Sequence, residues 1–206
     1  YSRTAAGTTT DGEPLLEVSG LETEFETYRG TVEALDGVRL SVGEDEIVGI
    51  VGESGCGKSV TARSILRLVR DPGRIVGGEV RYKGRDLLDL PAREVRREIR
   101  GREIAMIFQN PTNALNPAFR VGEQIAEVAR EVRDLSGEAA RERATELMDG
   151  VGIPEAEERY DDHPHEFSGG MKQRVVVAKS LACRPSLLIA DEPTTALDKT
   201  TEAQLL

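Results

Sequence analysis

Residues 52–59 read Gly52-Glu53-Ser54-Gly55-Cys56-Gly57-Lys58-Ser59, the spacing G-x-x-x-x-G-K-[ST]. Glycines there let the backbone close tightly enough for several N–H groups to face one anion. A helix expected to start near Lys58 adds the positive end of its dipole. Lys58 supplies a mobile cation for β- and γ-phosphates, and Ser59 a hydroxyl for Mg²⁺. Gly52 through Ser59, with Val60, are the candidate phosphate cradle. Far downstream, Leu187-Leu188-Ile189-Ala190-Asp191-Glu192 ends an apolar run on two carboxylates. Asp191 can hold Mg²⁺ through water, and Glu192 can orient and polarise a water attacking a γ-phosphate. A third segment, Phe167-Ser168-Gly169-Gly170-Met171-Lys172-Gln173-Arg174, joins an N-cap serine to glycines that bare the first N–H groups of a helix. Taken alone it is also what an ordinary serine-capped helix looks like; beside the first loop it is a second anion site.

These groups need strand ends and helix starts to hold them. Residues 47–51 are a nearly continuous β-branched run entering the phosphate loop, the pattern of a strand buried on both faces. Residues 60–70 show helical spacing, and 187–190 read as a second buried strand. Alternation over 15–18, 32–35, 38–42 and 79–82 predicts further strands. The charged stretch 85–102 reads as a helix or helix–turn with a solvated face, because Glu94, Glu98 and Glu103 interleave with its arginines. Helices are expected over 121–132 and 138–151, punctuated by Gly137 and Gly152, and another after Gly170. Residues 1–13 carry no apolar periodicity and read as a flexible tail. Strand, phosphate loop, helix, helical insertion and second strand indicate an α/β core with an added lobe.

Length and composition bound the alternatives. The chain has 206 residues, 38% hydrophobic and 31% charged, as expected of a globular domain. A net charge of −10 argues against general nucleic-acid binding. Only five of the 27 basic residues are lysine, a balance similar to that of proteins from salt-loving cells. No apolar run approaches the roughly 20 residues of a membrane span, so a membrane role must come through a partner. Cys56 and Cys183 are too few for a disulfide framework and suit a reducing compartment. Cys56 is either a small loop filler or a reactive thiol beside Lys58. The chain begins at Tyr1 and stops within an apparent helix at Leu206, which suggests a piece of a longer protein.

In order along the chain, these motifs resemble the nucleotide-binding subunit of ATP-binding-cassette transporters. The resemblance makes residues 52–59 the Walker A, Gln109 the Q-loop, 167–171 the signature, 187–192 the Walker B and Ala196-Leu197-Asp198 the D-loop. Met106-Ile107-Phe108-Gln109-Asn110-Pro111, Leu115-Asn116-Pro117 and Pro164-His165-Glu166-Phe167 are similar to the dipeptide and oligopeptide importers, a branch that also holds nickel and glutathione importers. The implied fold is a RecA-like P-loop NTPase core with an N-terminal antiparallel β-subdomain and an inserted α-helical subdomain. Residues 14–206 would form one domain, with 14–110 and 171–206 as core and β-subdomain and 111–170 as the helical subdomain.

The resemblance also implies roles. Glu192 is the general base, with Lys58 and Gln109 acting beside it. Ser59, Gln109 and Asp191 hold Mg²⁺. Phe25, or alternatively Tyr28, stacks on the adenine of ATP from a loop. Ser168, Gly169, Gly170 and Asp198 serve a nucleotide shared between two head-to-tail ATPase subunits, identical or paralogous. Gln109 senses Mg²⁺ and moves the helical lobe, which docks a permease subunit at the cytoplasmic face of the cell membrane; a separate binding protein would choose the cargo. The family's histidine after the D-loop has no counterpart, since His163 and His165 both precede the signature; binding of Mg-ATP with slow turnover is the expectation for the chain as given. DNA-repair, chromosome or translation members of the class fit less well, because the insertion is compact and only one cassette is present. Intact Lys58, Asp191 and Glu192 argue against a regulatory module without turnover.

Overall fold

The computed structural model describes residues 13–109 and 114–192. The chain divides into two compact units, Tyr1–Arg96 and Arg97–Leu206.

The first unit is an antiparallel sheet carrying a helix. Strand β1 (Leu16–Thr27) and strand β2 (Gly30–Val42) form one long hairpin; β3 (Gly73–Tyr82) and the short β4 (Arg85–Asp86) complete the order β2-β1-β3-β4. Leu16 pairs with Val42 at the open end and Thr27 with Gly30 at the turn. Bulges in β1 interrupt strict alternation, which is why the sequence reads as several shorter strands. Gly78, at φ +91°, lets β3 approach the Gly20 carbonyl more closely than any side chain would permit. Helix α1 (Lys58–Ile65) buries Ala62 and Ile65 and is tied to β1 by a buried Thr23–Ser64 hydroxyl pair at 2.9 Å.

Two expectations for this unit are corrected. The helix stops at Ile65 rather than near residue 70. Arg67 turns left-handed at φ 53°, Leu68 N–H reaches back to the Arg63 carbonyl at 2.7 Å, and the Arg67 guanidinium donates to the Leu87 and Leu90 carbonyls. Residues 47–51 form no ladder among the described residues, and Ile47 and Val51 are 87% and 97% exposed. A β-branched run becomes a buried strand only when a sheet supplies neighbours. The charged stretch does keep a solvated face: α2 (Ala92–Glu94) runs into a π-turn at Val95–Ile99 whose apolar residues Val95 and Ile99 are buried between exposed arginines.

The second unit pairs two parallel strands with a helical bundle. Strand β5 (Ile104–Ile107) lies in register with β6 (Leu187–Ala190), from Ile104 opposite Leu187 to Ile107 opposite Ala190. Strand β6 is less buried than its sequence suggests, with Leu188 38% exposed, because β5 is its only ladder partner among the described residues. Helices α3 (Val121–Arg133), α4 (Gly137–Gly150) and α6 (Gly169–Ala182), with the short α5 (Ala156–Arg159), enclose an apolar core. Alanines at 126, 129, 140, 144 and 178 are almost wholly buried, and their small size lets the helices approach closely. Ser136 caps α4 by accepting from Ala139 N–H, so Gly137, expected as the break before the helix, is its first residue; Gly152 at φ +77° follows its end, as the sequence indicated. This mixture of antiparallel sheet, phosphate loop with helix, parallel strands and helical bundle is the expected α/β architecture.

Candidate functional site

In the first unit the phosphate loop is shaped by its own backbone and cation. Gly55 and Gly57 take φ of +85° and +94°, conformations side chains resist. A Cβ at Gly57 would lie 2.9 Å from both the Ala34 carbonyl oxygen and Leu35 Cδ2, so the loop rests directly on β2. A Cβ at Gly52 would lie 2.5 Å from Cys56 Sγ, so the thiol folds over that glycine. Lys58 Nζ donates to the carbonyls of Gly52 at 2.7 Å and Glu53 at 2.8 Å and lies 3.7 Å from Cys56 Sγ. Its partners are neutral. A cation held by neutral oxygens, inside a glycine-built loop that opens a helix, suits a polyphosphate.

Phe25 lies within β1, opposite Val32 and Gly73, not in a loop as expected. Its ring and Val69 both crowd Gly73, where an added Cβ would lie 2.5 Å from Phe25 Cε1 and 2.7 Å from Val69 Cγ1. The turn position belongs to Tyr28, 91% exposed, with the Arg29 guanidinium 5.2 Å from its ring centre.

In the second unit the ends of β5 and β6 gather the acidic residues. Asp191 N–H donates to the Ile107 carbonyl at 2.9 Å, extending the ladder by one step and leaving Asp191 buried at the strand end. Gln109 follows β5 by two residues, and its Nε2 donates to Glu192 Oε2 at 2.6 Å. Glu192 adopts φ 51°, which turns its carboxylate back toward β5. Residues 83 apart in sequence thus meet at the carboxyl edge of a parallel pair, where α/β proteins gather their ligands. Ala196, Leu197 and Asp198, and Asn110 and Pro111, lie outside the described residues.

The signature segment opens α6 as read from the sequence. Ser168 Oγ accepts from Met171 N–H at 3.3 Å, and Ser168 and Gly169 are exposed, with no atom within 4 Å of where a Gly169 Cβ would stand. Upstream, Pro164–Glu166 form a 3₁₀ turn whose entry is closed by His163 N–H donating to Glu166 Oε2 at 2.7 Å. Phe167 is buried in the bundle core.

Sequence reasoning missed the side chains that hold these parts in place. Tyr160, buried, donates to Glu123 Oε2 at 3.0 Å, while Arg141 stacks 3.8 Å above its ring. Arg130 pairs with Glu123; Arg120 and Arg141 pair with Asp161 at 2.7 and 3.3 Å. Burial works to raise Glu123, but hydrogen bonds from Arg130 and Tyr160 hold it below the usual carboxylate range. Asp161 is lowered by its hydrogen bond from Arg141 and then Arg120. Burial and the Glu123 hydrogen bond push Tyr160 to about 12. One signal was available: Gln124 stands on the apolar stripe of α3 with Val121, Ile125 and Val128, where a polar residue needs a reason.

The loop and its helix define a P-loop nucleotide-binding protein, and the paired carboxylate edge and capped glycine segment narrow the class further. The ABC transporter family profile matches residues 35–195, and the chain belongs to that family. It is 52% identical over 193 residues to the oligopeptide transport ATP-binding protein OppD of Bacillus subtilis, covering 93% of this chain and 54% of that protein. It is 47% identical over 205 residues to OppD of Salmonella typhimurium, covering 100% of this chain and 61% of that protein. The chain therefore spans little more than half the length of these relatives. Among solved structures, a dimeric post-hydrolysis state of the ATP-binding cassette MJ0796 bound to ADP and Pi superposes with a TM-score of 0.82 at 30% identity, covering 92% of this chain and 79% of that one.

Proposed function

We propose that this chain is the ATP-binding and ATP-hydrolysing cassette of an importer for di- or oligopeptides. The observation that supports this most is the Gln109–Glu192 hydrogen bond at the end of the β5–β6 pair, with Asp191 beside it. Relatives named for oligopeptide transport support the choice of cargo. On this reading Lys58 and the N–H groups of residues 52–60 bind the phosphates of ATP, and Phe25 stacks on adenine. Tyr28, at the turn, is the alternative ring. Ser59, Gln109 and Asp191 offer hydroxyl, amide and carboxylate oxygens, the hard donors that suit Mg²⁺. Magnesium bound with ATP polarises the phosphoryl oxygens. Glu192 accepts the proton of the attacking water, and the Gln109 amide that donates to its Oε2 holds the carboxylate at the strand end.

Ser168, Gly169 and Gly170 serve the nucleotide of a second ATPase subunit, with Asp198 at the same interface, in keeping with the dimeric form of the matched cassette. Residues 14–110 and 171–206 act as core and β-subdomain and 111–170 as the helical subdomain that docks a permease. No helix among the described residues is long and apolar enough to cross a membrane. Attachment to the cytoplasmic face of the cell membrane is therefore assigned to permease subunits, and choice of cargo to a separate binding protein.

The test compares the chain with Glu192→Gln. Calorimetry should show Mg-ATP binding retained in both, while hydrolysis followed by phosphate release falls about 10²–10⁴-fold in the variant. Undiminished hydrolysis by Glu192→Gln would remove the assignment, and absence of Mg-ATP binding in the parent would remove the whole reading.

A further inference from the structure

Gln124 is 3% exposed, yet it carries an amide with two donors and an acceptor. All of that capacity is spent on one stretch of backbone. Its Nε2 donates to the carbonyls of Asn116 at 2.9 Å and Phe119 at 3.0 Å, and its Oε1 accepts from Asn116 N–H at 2.9 Å. Asn116 Oδ1 in turn accepts from Ala118 N–H at 3.0 Å. The turn that leads into α3 is therefore bolted to the second half of the first turn of that helix. Its other end is fixed to α6: Leu115 lies in the bundle core, and Lys179 Nζ donates to the Ala114 carbonyl at 3.4 Å.

The start of α3 is bound to the segment that precedes the signature. Val121 N–H donates to the Asp162 carbonyl at 2.8 Å, and Gly122 N–H to the Tyr160 carbonyl at 3.0 Å. These two N–H groups are among the four that an α-helix leaves without internal partners. Gly122 has no side chain because a Cβ there would overlap the Tyr160 ring. From residue 162 only the His163–Glu166 cap and buried Phe167 intervene before Ser168. A shift of the 116–119 turn would rotate the first turn of α3 and break the seam at 160–162.

We propose that Gln124 is a positioning residue for the signature segment: its amide fixes the turn after Gln109 to α3 and, through the Val121–Gly122 seam, sets the place of Ser168 at the start of α6. The inference rests on the reading of Ser168–Gly170 as a nucleotide contact for its meaning, but its structural content stands by itself. A leucine-like residue at 124 would satisfy the apolar stripe equally well. The polar choice is explained by the three backbone bonds.

The experiment is hydrogen exchange with residue-level resolution on the 206-residue chain, Gln124→Met and Gly122→Ala, without nucleotide. Gln124→Met keeps volume and removes all three bonds. Exchange should accelerate at least about tenfold at Asn116, Val121, Gly122 and Met171, with α4 unchanged. Gly122→Ala breaks the seam alone and should accelerate Val121, Gly122 and Met171 while leaving Asn116 protected. Acceleration confined to Asn116 in Gln124→Met, or Met171 unchanged in both variants, overturns the proposal; uniform acceleration including α4 shows plain destabilisation and overturns it as well. A parallel ATPase measurement reads the functional arm. Gln124→Met should lower kcat at least about tenfold with KM for Mg-ATP within about twofold, because the phosphate loop is untouched. Failure of the parent to bind Mg-ATP would sink the functional reading and leave the exchange result to decide the positioning.

Discussion

The two units hold their site residues by different means. In Tyr1–Arg96 the phosphate loop is fixed by backbone: left-handed glycines, a glycine pressed on the Ala34 carbonyl, and a lysine folded onto its own loop. In Arg97–Leu206 the signature and the carboxylate edge are held by side chains reaching backbone or one another: Gln124, Tyr160, Arg174 and Gln109. A backbone-built site tolerates little change at its glycines and is indifferent to most other residues. A side-chain-built site spreads its dependence over many positions, each of modest weight.

The sharpest test of that contrast is Gly57→Ala. The new Cβ meets Ala34 and Leu35 at 2.9 Å, in a conformation that strains any side chain by about 1–3 kcal/mol. Mg-ATP affinity should fall about 10–100-fold by calorimetry; unchanged affinity would show that side chains, not backbone, shape the loop. Thr23→Val comes next. It leaves the buried Ser64 hydroxyl without its partner, at about 1–3 kcal/mol, and should lower stability in urea and weaken nucleotide binding together. Tyr160→Phe removes one bond from a network that retains Arg130 and Arg141, costing about 0.5–1.5 kcal/mol, and should leave nucleotide affinity unaltered.

The smallest effect is in pH. Tyr160 titrates at about 12 in the fold against about 10 when unfolded, so its contribution is complete below pH ~10 and is lost as pH rises toward 12. Glu123 and Asp161 are lowered in the fold, so their contribution is complete above the unfolded carboxylate range and is lost as pH falls from that range through their lowered folded values. Urea midpoints against pH should decline at both ends, and Tyr160→Phe should remove the alkaline decline due to this residue.

The contrast also explains what could be read from sequence. Residues 52–59 were legible because a left-handed glycine, a helix start and a lysine lie within one octapeptide. Ser168 was legible for the same reason, since an N-cap bonds three residues ahead; the Ser136 cap was not, because Gly137 marked that boundary instead. The chain also announced that Gln109, Asp191 and Glu192 belong together, through motif order, though not the hydrogen bond itself. Tyr160, Glu123 and Arg141 could not be found, because their meeting depends on how α3, α4 and the 160–162 segment pack. Phe25 was placed in a loop because bulges hide the length of β1. Residues 47–51 misled in the opposite direction: apolar text states a preference for burial, and only neighbouring strands can grant it.

Three helices of the second unit end under an arginine. Arg102 donates to the carbonyls of Glu131 and Val132 at the close of α3, Arg174 to those of Val151 and Gly152 after α4, and Arg133 to those of Cys183 and Arg184 after α6. Each guanidinium meets two successive carbonyls at the negative end of a helix, Arg102 and Arg133 through two different nitrogens of the planar fork and Arg174 through Nη1 alone. Three of the 22 arginines thus have an architectural use, apart from anything the surroundings ask for. A composition that looks like the imprint of a salty habitat is also that of a bundle whose seams are stitched with guanidinium, and habitat should not be inferred from it until those seams are counted out.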